Sequence, residues 1–252
     1  MMHYRTLVLS DIHLGTRDTK ARELAAFLKH NSCDTLILNG DIVDVWHLRR
    51  RGSWRTRDTR IIRRILKMME EHKTKVVYVR GNHDEMLDNV IPLQTGNFRI
   101  VRDMELESGG KRFFVTHGDI FDVITRDYKW LAHLGDLGYK LLLWLNKRHN
   151  RKRRLQGLPY DSLSQKVKHK VKLAVNYIGD FEEVMVRYAK SRHYDGIICG
   201  HIHQPAIKDI QGMVYMNSGD WVESLSALAE DHQGRWQVVY YQSIIPAEKQ
   251  VL

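Results

Sequence analysis

The chain has 252 residues, 43% of them hydrophobic, and a formal net charge of +10. That apolar content supports one large domain, or a core domain with an insertion, and excludes an intrinsically disordered chain. Cys33 and Cys199 are far apart and in no CxxC arrangement, which excludes a disulfide framework and a thiolate zinc site and predicts a reducing, cytoplasmic compartment.

Strand and helix patterns alternate through the first half. Residues 5–10 read as a strand running into Asp11-Ile-His13. Residues 19–31 read as a helix, with Asp18 or Thr19 as its cap and Leu24, Phe27 and Leu28 on one face. A strand over 34–38 leads to Gly40-Asp41. Residues 58–72 follow as a helix with Ile61, Ile62, Ile65, Leu66 and Met69 as the buried stripe. A strand over 75–79 precedes Gly81-Asn82-His83-Asp84. The Gly109-Gly110 turn predicts a hairpin between residues 104–107 and 112–116, and the second of these strands ends at His117-Gly-Asp119.

From residue 121 to 190 glycines thin out and long helical patterns take over. One is rich in Trp130, Leu131, Leu134, Leu141, Leu142 and Trp144, and another places Val167, Val171, Val175, Ile178, Phe181 and Met185 roughly on one side. This reads as a helical insertion, or lid, between two halves of a core formed by residues 1–120 and 191–252. Strand character returns at 196–199, ending in Gly200-His201-Ile-His203, and then at 213–217, 226–230 and 235–241. The turn His232-Gln233-Gly234 joins the last two as a hairpin.

Five apolar runs thus end in Asp, Asn or His, at the carboxyl ends of strands where α/β folds place their ligands. Converging, they would form a site of imidazoles, carboxylates and one amide, a donor set suited to a pair of divalent ions. Gly40, Gly81, Gly118 and Gly200 stand beside these residues, where the backbone must turn sharply. Asp44 and Asp119 are equally readable as supports for ligand histidines or as turn caps, and Asn217-Ser-Gly219-Asp220-Trp221 reads as a structural turn.

The positive charge is clustered: residues 49–64 hold eight arginines, and residues 147–154 hold six lysines or arginines. One such run is ordinarily a solvated helix face. Two of them beside a metal-type site point to an anionic substrate or surface. Residues 6–10 are too short for the apolar region of a signal peptide, and the patch at 141–145 is too short to span a bilayer.

The ordered set DxH, GD, GNHD, HGD and GHxH resembles the calcineurin-like metallophosphoesterases over nearly the whole chain, from Asp11 to His203. The resemblance implies an α/β sandwich of two packed mixed β-sheets flanked by helices (αββα). It implies one ion held by Asp11, His13, Asp41 and His203. A second would be held by Asp41, Asn82, His117 and His201, with Asp41 shared. The ions implied are manganese, or iron, zinc or magnesium, and such a pair activates water and clamps phosphoryl oxygens during in-line attack. His83 would protonate the leaving oxygen or stabilise phosphoryl charge, and Asp84 would orient it or cap its turn.

Within that superfamily the chain looks most like the UDP-2,3-diacylglucosamine diphosphatase branch. The resemblance rests on Ser10-Asp-Ile-His-Leu-Gly15, on Gly40-Asp-Ile-Val-Asp-Val-Trp46 and on the insertion after His117-Gly-Asp119. It implies a nucleotide-diphospho-lipid substrate cleaved to UMP and a lipid sugar monophosphate in lipid A synthesis. It also implies an anionic membrane surface as partner, on the cytoplasmic face of the inner membrane. Arg80, Trp46, Arg126 and Arg153 are the substrate-binding candidates. The best-known members of the branch carry Arg where this chain has His83, which leaves open a neighbouring substrate. The rival enzyme reading is a phosphodiesterase or nuclease whose backbone-tracking charge is the Arg run. Few aromatics beyond Trp46 and Trp54 interleave with that run, so no obligate nucleic-acid partner is expected. A metal-free scaffold of the same fold is disfavoured because every ligand position is filled.

Overall fold

The computed structural model describes residues 2–50, 52–122, 178 and 180–244. The chain divides into two compact units, Met1–Ile120 with Met185–Leu252, and Phe121–Val184. Most of the second unit lies outside the described residues, and with it Arg126, Arg153, the Trp130-to-Trp144 stripe and the basic run 147–154.

β1 (Met2–Leu9) and β2 (Asn31–Asn39) carry unbroken apolar runs because both their faces are covered. Successive side chains point to opposite faces of a strand. Leu7, Leu9, Leu36 and Leu38 therefore enter one core, while Val8 and Ile37 enter another. Two helices close the first core. α1 (Ala21–His30) contributes Leu24, Phe27 and Leu28, as the sequence predicts, together with Ala21. It starts later than expected and has no side-chain cap, because Thr19 spends its hydroxyl on the His13 carbonyl instead. After the short α2 (Val45–Arg50), the helix α3 (Thr56–Glu71) contributes Ile61, Ile65 and Met68. Leu66 of the predicted stripe is 56% exposed, since the buried line advances by i, i+4, i+7 from Ile61 and leaves Leu66 to solvent.

The remaining described strands are β3 (Lys75–Val79), β4 (Leu93–Thr95), β5 (Phe98–Val101), β6 (Met104–Ser108), β7 (Lys111–Val115), β8 (Gly196–Cys199), β9 (Ala206–Ile210), β10 (Met213–Asn217), β11 (Ser226–Glu230) and β12 (Trp236–Tyr240). They form two mixed sheets. The larger has the order β12-β11-β1-β2-β3-β5-β4, and the smaller β6-β7-β8-β10-β9. Between them lies the second core, where Val77 and Val79 meet Phe113, Val115, Ile198 and Met216. Full burial of a Leu, Ile or Phe side chain contributes about 1.5–3 kcal/mol, so each face of β1 and β2 is a substantial stabilising surface.

β1, β2 and β3 run parallel, as do β7 and β8. Their carboxyl ends deliver Asp11, Asp41, Asn82, His117 and His201 to the same rim. The predicted hairpins are present, β6 with β7 and β11 with β12, both antiparallel. No helix among the described residues is long and apolar enough to cross a membrane.

Candidate metal centre

The loops leaving these strands are bent in an uncommon way. Asp11, His13, Asp41, His201 and His203 have φ of +50, +52, +53, +68 and +55°. A non-glycine residue in the left-handed region costs of order 1–3 kcal/mol and persists only where its surroundings over-determine it. Here each loop is tied to the next by backbone hydrogen bonds. Asp11 N–H donates to the Gly40 carbonyl (3.1 Å), His13 N–H to Asp41 (2.9 Å), Gly200 N–H to His117 (3.0 Å) and Trp221 N–H to Asp11 (3.1 Å). Thr16 Oγ1 adds a bond to the His13 carbonyl at 2.9 Å. Two glycines make the approach possible. A Cβ at Gly81 would collide with the backbone and carboxylate of Asp41, and one at Gly40 would strike the His117 ring.

The side chains gather around Asp41. Its Oδ2 stands 3.4 Å from His117 Nε2 and 3.9 Å from the Nε2 atoms of both His13 and His83. Its Oδ1 accepts the His83 backbone N–H at 2.8 Å. On one side, Asp11, His13 and His203 place ligand atoms within 4.8 Å of one another; on the other, Asp41, His117 and His201 do the same. His203 Nε2 is 3.1 Å from Asp11 Oδ1, and Asp11 Oδ2 accepts the His201 N–H at 3.0 Å. His117 is fully buried, and its Nδ1 donates to the Asn39 carbonyl at 2.9 Å. That bond occupies Nδ1 and leaves Nε2 facing Asp41.

The electrostatics follow from crowding carboxylates and imidazoles out of water. Burial opposes charge on His117, but Asp41 and Asp11 outweigh it and push its pKa up to about 10. Burial likewise opposes charge on His203, and Asp11 overcomes it, to about 9. For Asp11, burial is overcome by His203 and His117, which hold the carboxyl far below its usual range. Asp41 is lowered too: burial is outweighed by His117. A field that holds protons on buried imidazoles favours divalent cations in their place, with release of those protons.

The residues fit divalent ions by a second, independent observation. Asp11 Oδ1, Asn82 Oδ1 and His117 Nε2 are buried atoms with no hydrogen-bond partner in line. Leaving such atoms unsatisfied costs about 1–3 kcal/mol each. Asp11 and His117 belong to the two donor groups at this centre, and Asn82 follows β3 at the same rim.

The other candidates take clear places. His83 opens a short 3-10 segment (Asn82–Asn89), its ring edge-on to His13 at 4.7 Å between centroids. Its Nδ1 is 3.1 Å from Asp44 Oδ2, and the same oxygen lies 3.4 Å from His13 Nδ1. Burial disfavours charge on His83, but Asp44 and Asp41 raise its pKa overall. Asp44, which the sequence left between two roles, therefore contacts both histidines and also caps α2 by accepting the His47 N–H at 2.7 Å. Asp84, read from the sequence as orienting His83 or capping its turn, directs its carboxylate to backbone amides. The backbone kinks at Asp84 and turns its carboxylate onto the Ile42 and Val43 amides at 3.1 and 3.0 Å. Burial and the nearby Asp41 raise the Asp84 pKa to about 6.

Arg80, a substrate-binding candidate from the sequence, forms two ion pairs. Its guanidinium is held between Asp119 and Asp88, the latter at 3.1 Å, which neutralises it and ties the loops after β3 and β7 together. Trp46 sits at the mouth. It is 41% exposed, its ring is 4.6 Å from that of His83, and its Nε1 donates to Glu85 Oε1 at 2.9 Å. Tyr78 was not singled out from the sequence, yet burial and the nearby Asp84 push its pKa well above the usual value. A tyrosine inside an apolar strand run carried no signal of that neighbour.

The profile of the calcineurin-like phosphoesterase family matches residues 4–205. The chain belongs to that family. It is accordingly a metal-dependent hydrolase, and the family implies divalent ions at the residue groups around Asp41. Among similar family members, a UDP-2,3-diacylglucosamine hydrolase of Psychromonas ingrahamii is 26% identical over 240 residues, covering 88% of this chain and 91% of its own. One from Shewanella putrefaciens is 27% identical, covering 91% and 94%. An archaeal phosphodiesterase structure superposes with a TM-score of 0.45 at 15% identity, covering 93% of this chain and 98% of its own.

Proposed function

We propose that this phosphoesterase uses two divalent ions, most simply Mn²⁺, to hydrolyse the pyrophosphate of UDP-2,3-diacylglucosamine or a similar nucleotide-diphospho-lipid, releasing UMP and the lipid sugar monophosphate. The observation that carries the two-ion reading is Asp41, whose carboxylate lies between two separate groups of imidazoles. Asp11, His13, Asp41 and His203 would hold one ion; Asp41, Asn82, His117 and His201 the other. When bound, the ions supply an activated water and positive charge for the phosphoryl oxygens.

The protein's own groups do the rest. Asp44 holds His83 from its Nδ1 side, so Nε2 points into the centre and, protonated, donates to the departing oxygen. The Arg80 clamp sets the distance between the Asn82 and His117 loops. Trp46 offers a half-exposed indole beside His83, a face on which a base stacks at about 1–3 kcal/mol. The substrate assignment is supported by relatives that are named UDP-2,3-diacylglucosamine hydrolases and are matched over most of both chains. We place the enzyme in the cytoplasm at the inner-membrane surface, where a diacylated substrate resides and where basic residues meet anionic headgroups.

A phosphodiesterase acting on nucleotides or nucleic acid is the second reading, favoured by one residue: His83 stands where the diphosphatase branch carries Arg. The assay that separates them is UMP release by Mn²⁺-loaded protein from UDP-2,3-diacylglucosamine in detergent, beside the unacylated UDP-sugar and a generic phosphodiester. Release from the acylated substrate alone supports the lipid reading. Turnover confined to the phosphodiester refutes it and leaves the metal chemistry standing.

A further inference from the structure

A second group of potential metal donors lies away from the phosphoesterase centre. His3 on β1, Asp34 on β2 and His232 in the β11–β12 turn place ligand atoms within 4.8 Å of one another. The sheet register explains why. His3 pairs with Ser32 of β2, so Asp34, two residues on, is its diagonal neighbour on the same face. β11 runs antiparallel to β1 with Thr6 opposite Glu230, which carries the following turn back to His3. Along β1, His3 is six residues from Leu9, about 20 Å at 3.3 Å per residue, so the group sits at the opposite end of the strand from Asp11.

Ser32 Oγ donates to the Met2 carbonyl at 3.4 Å, and His3 Nδ1 is 2.8 Å from the same Oγ. His3 Nε2 lies 2.9 Å from Asp34 Oδ1, so imidazole and carboxylate already face each other across the strand pair. His232 adds a third donor. Its Nδ1 lies 3.9 Å from Asp34 Oδ2, and its ring stacks on that of His3 at 5.4 Å and 19°. Two imidazoles beside a carboxylate are a common donor set for a borderline divalent ion. Donors bound at about 2.0–2.1 Å in a tetrahedron are roughly 3.3 Å apart. The observed 2.9 and 3.9 Å bracket that spacing.

We propose that His3, Asp34 and His232 form a surface site for a divalent transition-metal ion, Zn²⁺ by ligand type, with water completing the shell. Bound there, the ion would clip the β11–β12 turn to the start of β1 and β2. All three residues are exposed, so the ion exchanges with solvent and needs no entry path.

The test is metal content after equilibrium dialysis of the full-length protein against Zn²⁺, for wild type, His232→Ala and His3→Ala. His232 lies in an exposed turn, so its replacement leaves the fold intact. Each variant is expected to hold one Zn²⁺ fewer per chain than wild type and to lose the Zn²⁺-dependent rise in Tm attributable to this site, with phosphoesterase turnover unchanged. Equal Zn²⁺ content in wild type and His232→Ala would overturn the proposal. Reduced Zn²⁺ together with reduced turnover would also overturn it, because the ion lost would then belong to the phosphoesterase centre.

Discussion

The two ends of the same strands behave differently. At the carboxyl ends of β1, β2 and β7, Asp11, Asp41 and His117 are buried, and several loop residues sit in left-handed backbone. At the amino ends of β1 and β7, His3 and Lys111 are exposed, and neither has positive φ. The same apolar strands support both ends. The difference is that buried Asp and His side chains and left-handed ligand residues gather at one rim, where interlocked loops hold them, whereas His3, Asp34, Lys75 and Lys111 at the other are exposed. Groups that would lower stability anywhere else are gathered where cations can compensate them.

That contrast can be broken at several points. Asp41→Ala has the largest expected effect: turnover falls roughly 10³-fold or more, because several kcal/mol of Lewis-acid stabilisation disappears with the ions. Metal analysis of the variant checks it, and normal stoichiometry would refute the shared position of Asp41. For His83→Ala the metal content should be kept while kcat falls about 10²–10⁴-fold, the range for a lost general acid. Unchanged kcat would remove His83 from the reaction. A Gly81→Ala substitution drives a methyl group into Asp41, so both Tm and bound metal should drop. Its counterpart at the far side, Gly212→Ala, has φ of +79° and nothing within 4 Å of the added Cβ. There the cost is the left-handed backbone alone, about 1 kcal/mol, or roughly 2–4 °C in Tm. Similar losses of bound metal in these two glycine variants would erase the contrast.

The candidate site was legible because its motifs stand where apolar runs end abruptly, as Leu9-Ser10-Asp11 and Cys199-Gly200-His201 show. The core strands were legible for the same reason. β4, a three-residue edge strand with every residue exposed, and α2, six residues with none buried, carry no such periodicity. Among the described residues β9 pairs only with β10, and it exposes its middle residues, so Ala206–Ile210 gave no strand signal either. Side-chain partners across the fold were harder still. Asp84 follows His83 in sequence but turns to the Ile42 and Val43 amides, while Asp44, thirty-nine residues before His83, contacts its ring. Adjacency in the motif does not encode where a kinked turn aims its carboxylate. Arg80 reads as an available cation until Asp88 and Asp119 are seen on either side of it.

The most direct test of the two-ion centre is anomalous scattering from crystals grown with Mn²⁺. The account predicts two peaks, both against Asp41, one also touching Asp11, His13 and His203 and the other Asn82, His117 and His201. A single peak, or a pair of peaks of which only one contacts Asp41, would contradict it.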